Sequence, residues 1–183
     1  MGTPDTKPET MYEMQTMELG VMPVGRAEQL MQHAVEQRQQ GLIPDLLLFL
    51  SHPRTVSLGL KNKADGQPED LLVPVSRLKR ERIDLARSER GGGITYHWPG
   101  QIVMYPIMEL RPHERNIPDF MAKLEQVIIE SLRGFRVETF TSRETPAHVG
   151  LWFRGRKVVS MGIRIDHWVT SFGAAVNLEG DHH

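Results

Sequence analysis

The chain has no cysteine, which excludes disulfides, thiolate metal sites and a cysteine nucleophile supplied by these residues. Net charge is missing too: 22 Lys and Arg stand against 23 Asp and Glu. That balance lacks the cationic excess a polyphosphate partner selects, so nucleic acid is not expected as a ligand. No apolar run approaches the roughly 20 residues of a membrane span, and no membrane partner is expected. The start, Met1 to Thr10, is polar and carries Pro4 and Pro8, unlike a secretory signal. It reads as a flexible leader through residue 19, and the expected location is cytoplasmic.

What is present suits one globular domain over residues 20–183. Hydrophobic residues make up 39% and charged residues 25%, ordinary values for a folded soluble protein. A chain of this length buries roughly 70% of its unfolded surface, enough for a core without metal or disulfide.

The order of elements predicts an α/β chain of α+β type. Ala27, Leu30, Met31, Ala34 and Val35 recur at three-to-four spacing and predict a helix over Gly25 to Gln40, with Gly41 beyond its end. Leu46 to Leu50 has strand length, stopped at His52-Pro53. Ile83, Leu85 and Arg87 alternate with Asp84 and Ala86 as in a half-buried strand. Ile102 to Leu110 predicts a longer strand in which Pro106 argues for an edge or a bulge. Pro118 suits the first turn of a helix whose apolar stripe is Phe120, Leu124, Val127, Ile128 and Leu132, ending at Gly134. Val149 to Phe153 and Lys157 to Ile165 flank Arg154-Gly155-Arg156 and predict a hairpin. A last strand is expected from about Trp168 to Leu178.

The stretch Arg90-Gly-Gly-Gly-Ile-Thr-Tyr-His-Trp-Pro-Gly-Gln101 is the most informative. Gly91, Gly92 and Gly93 lack the side chains that hold backbone away from a ligand. One reading is a pocket wall whose amides approach an acyl carbonyl while Tyr96, His97 and Gln101 add polar contacts. The other is a glycine-rich connection between two strands. Lys157 leaves a similar choice. By period two it shares a face with Val159, Met161, Ile163 and Ile165, where burial would lower its pKa and make it a proton acceptor; or its stem packs while its head reaches water. His97 is read as a pocket residue or as a structural hydrogen-bonding one. His33, His52, His113, His148, His167, His182 and His183 show no ligand spacing, so no metal is expected.

Arg90 to Gln101 resembles the signature Arg-Gly-Gly-x-x-Thr-Tyr-His-Gly-Pro-Gly-Gln of the lipoyl (octanoyl) transferases, within the superfamily of lipoate and biotin protein ligases, with Trp98 in place of a glycine. Further pieces fall in family order: His52-Pro53, Ser57-Leu58-Gly59, Gly150-Leu-Trp152, Gly155-x-Lys157, Met161-Gly162-Ile-Arg164, Trp168-Val-Thr170 and Ala175-Val-Asn177-Leu178. The resemblance implies a mixed, largely antiparallel sheet flanked by helices, as in a biotin/lipoate ligase-like catalytic domain. It implies octanoyl transfer from acyl carrier protein through an acyl-cysteine to a lysine of a lipoyl domain, in 2-oxoacid dehydrogenases or the glycine cleavage H protein. No cofactor is implied. Lys157 becomes the expected acid/base residue; Arg90, Gly91, Gly92, Gly93, Thr95, Tyr96, His97, Gln101, Met161, Gly162, Gly173 and Ala174 become the expected acyl-pocket residues. The basic run Arg77 to Arg82 is either a docking surface for an acidic carrier protein or a solvated loop.

Two departures stand out. The family continues into a Pro-Cys-Gly segment, so this chain reads as truncated at its C-terminus, with impaired transfer expected. Phe172 takes the place of a family histidine. An ATP-dependent lipoate or octanoate ligase, which needs a lysine but no thiol, is one alternative. A non-catalytic acyl-binding protein, or half of a split enzyme, is another.

Overall fold

The computed structural model describes residues 14–62, 68, 71–141 and 149–180. Fifteen short or long elements reduce to two sheets and two main helices. In chain order the strands and helices are β1 (Met14–Val21), α1 (Val24–Gln39), β2 (Asp45–Ser51), β3 (Thr55–Leu58), α2 (Val75–Arg80), β4 (Asp84–Arg87), β5 (Ile94–His97), β6 (Gln101–Ile107), α3 (Ile117–Gly134), β7 (Phe140–Thr141), β8 (Leu151–Phe153), β9 (Arg156–Asp166) and β10 (Val169–Asn177). Single 3₁₀ turns at Leu60–Asn62 and Pro112–Glu114 complete the set. The large sheet has the order β1-β2-β6-β10-β9-β8-β7, and a small sheet has β4-β3-β5. All pairs are antiparallel except β1 with β2 and β3 with β4. This is the mixed, largely antiparallel architecture that the resemblance implied.

Alternation in the strands of the large sheet sorts side chains between two cores, and a third cluster of Val56, Leu58, Leu71 and Leu78 lies against the small sheet. Ala27, Met31, Ala34 and Val35 of α1 pack on Leu46, Leu48, Leu50, Val103, Tyr105 and Phe172 on one face. Phe120, Leu124 and Ile128 of α3 pack on Leu151, Val159, Ala174 and Val176 on the other. Asn116 caps α3, its side chain accepting from the Asp119 N–H at 3.2 Å, which satisfies one of the helix's orphan donors. Both tight hairpins have the geometry that two-residue loops demand: Arg154 and Gly155 adopt φ of 48° and 74°, and His167 and Trp168 adopt 46° and 66°.

Several expectations need correction. The leader does not extend through residue 19, because Met14 to Val21 forms an edge strand parallel to β2; its mostly exposed side chains lack the burial pattern that would have betrayed it. Residues 1–13 lie outside the described residues. Leu85 of β4 is exposed, because β4 is an edge strand of the small sheet. Val127 is also exposed: it stands beside an apolar cleft of about 420 Å³ between α3 and Leu47, Met104 and Met108.

Pro106 is neither at an edge nor in a bulge. It lies in β6 between β2 and β10, and β10 makes the adjustment. The β10–β6 ladder ends at Ala174↔Met104, since Pro106 has no N–H to continue it. A Cβ on Gly173 would stand 2.2 Å from the Met104 carbonyl oxygen and 2.7 Å from Pro106 Cδ. Phe172 turns to φ 58°, a conformation that costs an aromatic residue on the order of 1–3 kcal/mol. Its N–H points to Met31 Sδ at 3.0 Å. Beyond the break, Thr170 restores the connection, donating its hydroxyl to the Pro106 carbonyl at 2.7 Å and accepting from the Met108 N–H at 3.0 Å.

The glycine-rich loop 90–93 is wedged between the small sheet and β9. A Cβ on Gly162 would fall 2.7 Å from the Gly91 carbonyl oxygen, and one on Gly59 would fall 2.6 Å from that of Gly92. Replacing Gly162 with alanine therefore pushes the loop off β9. Urea denaturation of Gly162→Ala is expected to show a loss of about 1–3 kcal/mol, the usual cost of overpacking; unchanged stability would contradict this packing.

Candidate active site

A narrow pocket opens between β3 and β5 of the small sheet and β6, β9 and β10 of the large one. Its polar side is Ser57, Ser88, Arg90, Thr95 and His97, and its apolar side includes Val103, Tyr105, Met161, Phe172 and Ala174. At about 30 Å³ it has room for one or two water-sized spheres.

Thr95 and His97 reach this pocket because they share one face of β5. Tyr96, between them, points to the opposite face, where Arg54 Nε donates to its hydroxyl at 2.9 Å and its ring stacks on Trp98 at 5.6 Å. Tyr96, expected as a pocket residue, is therefore placed away from this pocket. Gly91, Gly92 and Gly93 do not line it either. The Gly91 N–H is spent on the Ile163 carbonyl at 3.1 Å, and the carbonyls of Arg90, Gly92 and Gly93 accept from the N–H groups of Leu60, Lys61 and Gly59. These glycines permit close packing of the loop. Arg90, Thr95, His97, Met161, Gly162, Gly173 and Ala174 do form the wall.

Hydrogen bonds run continuously beneath that wall. Arg90 Nη2 donates to Ser57 Oγ at 2.9 Å, and Ser57 Oγ lies 3.1 Å from His97 Nε2. His97 Nδ1 lies 2.9 Å from Gln101 Oε1, while Gln101 Nε2 donates to the Tyr96 carbonyl at 3.1 Å and to Asn177 Oδ1 at 2.8 Å. Asn177 Nδ2 donates to the backbone carbonyl of Lys157 at 3.1 Å. Because the Gln101 oxygen can only accept, the His97 proton belongs on Nδ1, and Nε2 accepts from Ser57. Burial, with His52 nearby, lowers the His97 pKa to about 3, so the ring is neutral at physiological pH. Its neighbour His52, fully buried, donates from Nδ1 to the Met22 carbonyl at 2.7 Å and sits 3.0 Å from the Tyr105 hydroxyl. Among the described residues no three His, Asp or Glu side chains converge as metal ligands.

Lys157 does not line the pocket but stands at its rim strand, and its orientation differs from the period-two expectation. Pairing steps from Leu151↔Val159 to Trp152↔Lys157, which leaves Val158 as an extra residue, a β-bulge. One extra residue reverses the alternation. Lys157 is thereby set out of phase with Val159, Met161 and Ile163 and in phase with Ser160 and Gly162; residues of both phases, Met161 among them, line the pocket. Its Nζ lies 5.5 Å from the Trp152 ring centroid, and burial lowers its pKa. Gly150 must lack a side chain here, since a Cβ would meet the Val159 carbonyl oxygen at 2.2 Å and Lys157 Cε at 3.3 Å.

Glu28, Ser57, Tyr105, Ser160 and Phe172 belong to this region and were not among the expected site residues. Glu28 arrives from α1: it hydrogen-bonds Ser88, feels the Arg90 charge, and burial raises its pKa. Only the Ser57-Leu-Gly and Phe172-Gly fragments carried any sequence signal for these positions.

The fold is that of the lipoate-protein ligases. A crystal structure of lipoate-protein ligase A bound with ATP superposes with TM-score 0.75 at 19% identity, covering 92% of this chain and 68% of that one. A bi-partite lipoate protein ligase from Thermoplasma acidophilum gives 0.70 at 20% identity, covering 92% and 63%. Residues 25–183 match the family model of the lipoyl protein ligase A/B catalytic domain, and the chain belongs to that family. It is 35% identical over 164 residues to an octanoyltransferase of Solibacter usitatus, covering 90% of this chain and 71% of that protein. The octanoyltransferase of Desulforamulus reducens is 38% identical over 141 residues, covering 77% and 59%.

The depressed pKa of His97 has a consequence for stability. The unfolded histidine takes up a proton near pH 6.5, whereas the folded one stays neutral until about 3. Unfolding is therefore favoured as pH falls below about 6.5, by up to about 1.4 kcal/mol per pH unit for such a histidine. Nitrogen-15 spectra should show the His97 ring unchanged from pH 8 to pH 5; titration near 6.5 would contradict the buried network.

Proposed function

We propose that this chain provides the acyl-binding site for transfer of an octanoyl group from octanoyl-acyl carrier protein to a lysine of a lipoyl domain. The observation that carries the reading is the unbroken hydrogen-bond path from Arg90 to the Lys157 carbonyl, which joins the two motifs implied for this chemistry around one pocket. The chain's likeness to the octanoyltransferases of Solibacter usitatus and Desulforamulus reducens supports the same reaction class.

In this reading the acyl carbonyl lies at the polar end of the pocket. Arg90 keeps a buried Nε without a hydrogen-bond partner, a donor available to the oxygen as charge develops on it. Neutral His97 and Ser57 hold that guanidinium in place. Lys157, with its lowered pKa, accepts the proton released when the acceptor lysine's amine attacks the thioester carbonyl, and the carrier protein's thiolate leaves as the amide forms. The exposed basic groups Lys79, Arg80 and Arg82 at α2 suit an acidic carrier protein. These residues include no thiol, so an acyl-cysteine is not formed on them.

A second reading is an ATP-dependent ligase acting through an acyl-adenylate, a chemistry that uses a lysine such as Lys157 and no thiol. Octanoyl-carrier protein and a lipoyl domain, mixed with the chain without ATP, are expected to yield octanoyl-lysine by mass spectrometry, and Lys157→Ala to reduce its rate at least about 100-fold, the scale of a general base. Transfer only from free octanoate with ATP, with pyrophosphate released, would assign the ligase instead.

A further inference from the structure

The pocket of about 30 Å³ is not alone under α1. A second cavity of about 90 Å³ is lined by Glu28, Met31, Val35 and, at its mouth, Glu89, Arg164 and Asp166. Phe172 is the one residue common to both walls. Its ring is 4% exposed and packs edge-on to Tyr105 at 5.9 Å.

We propose that Phe172 is the residue that sets acyl-chain length, a partition that ends the acyl pocket and separates it from the cavity beneath α1. This rests on the acyl-binding reading above. The polar atoms of Arg90, Ser57 and His97 fix the carboxyl or thioester end, so the tail runs toward Val103, Tyr105 and Phe172. The far cavity is apolar at Met31 and Val35, and Arg164 at its mouth is already paired with Glu89 at 2.8 Å and stands near Asp166, so its charge is not free to draw a carboxylate and a tail rather than a head group enters the cavity. The backbone at Phe172 is held at positive φ by Pro106 and Gly173, and such an outlier persists where the surroundings over-determine it. The ring is thereby fixed across the passage and does not swing with the strand.

Binding constants for straight-chain fatty acids of increasing length test this on the whole chain. Each further methylene buried tightens binding about fourfold, equivalent to about 0.8 kcal/mol, until the wall is reached. Phe172→Gly removes the ring at a backbone angle glycine adopts freely, and Phe172→Asn does so with a short side chain that tolerates the same angle. Both are expected to move the length at which tightening stops by about two methylenes, roughly the depth the ring vacates, and to leave shorter acids unchanged. Phe172→His keeps a ring and should keep the wild-type limit. Superimposed length profiles for wild type and the Gly and Asn variants, all binding and all folded by circular dichroism, would overturn the partition. Failure of every fatty acid to bind any of them would overturn the acyl-binding reading along with it.

Discussion

The side-chain amide of Gln101 holds together the two parts of the molecule that the site needs. It sits at the first residue of β6 and is 3% exposed, so both of its ends must be satisfied internally. Its oxygen fixes the tautomer of His97, and its nitrogen reaches Asn177 at the end of β10. One polar group thus locks the loop after β5 to the strand pair that carries Lys157. A buried amide with each donor and acceptor used is rigid, and it ties the Arg90–Ser57–His97 chain to the backbone at Lys157.

Around that anchor, the site depends on places where regular strand geometry is broken. Val158 is an extra residue and takes Lys157 off the face of Val159 and Ile163. Pro106 interrupts the ladder in the middle of the large sheet and forces Phe172 into a left-handed conformation. Gly162 and Gly173 have no side chain because a neighbouring backbone occupies the space. In each case a local departure re-aims one side chain, the use to which bulges and strained residues are commonly put.

Sequence patterns carried the regular parts well. The helix at Gly25 to Gln40, the strand at Leu46 to Leu50 and the tight turn at Arg154-Gly155 follow from spacing and turn chemistry, and α1 and α3 lie within a residue or so of where periodicity puts them. What spacing missed follows from contacts distant in sequence. Tyr96 points away from the pocket by the alternation that turns Thr95 inward, a pattern legible in the sequence but overridden by the motif that contains all three. The phase of Lys157 was not legible, because a bulge is an insertion relative to a partner strand and has no signature in the strand itself. Pro106 suggested an edge because a central proline needs compensation from β10, some 65 residues away along the chain, where Phe172 and Thr170 supply it. Glu28 is a helix residue that no motif marks; only packing of α1 against the glycine-rich loop brings it near Arg90.

If the Gln101–Asn177 contact is what assembles the proposed acyl site, its two partners must act as a unit. A double-mutant cycle with Gln101→Ala and Asn177→Ala, read as the dissociation constant for octanoate, tests that dependence directly. Strong coupling is expected, with the double variant scarcely weaker than either single one and an interaction energy of about 0.5–3 kcal/mol. Additive losses, or single variants that bind octanoate as the wild type does, would contradict it.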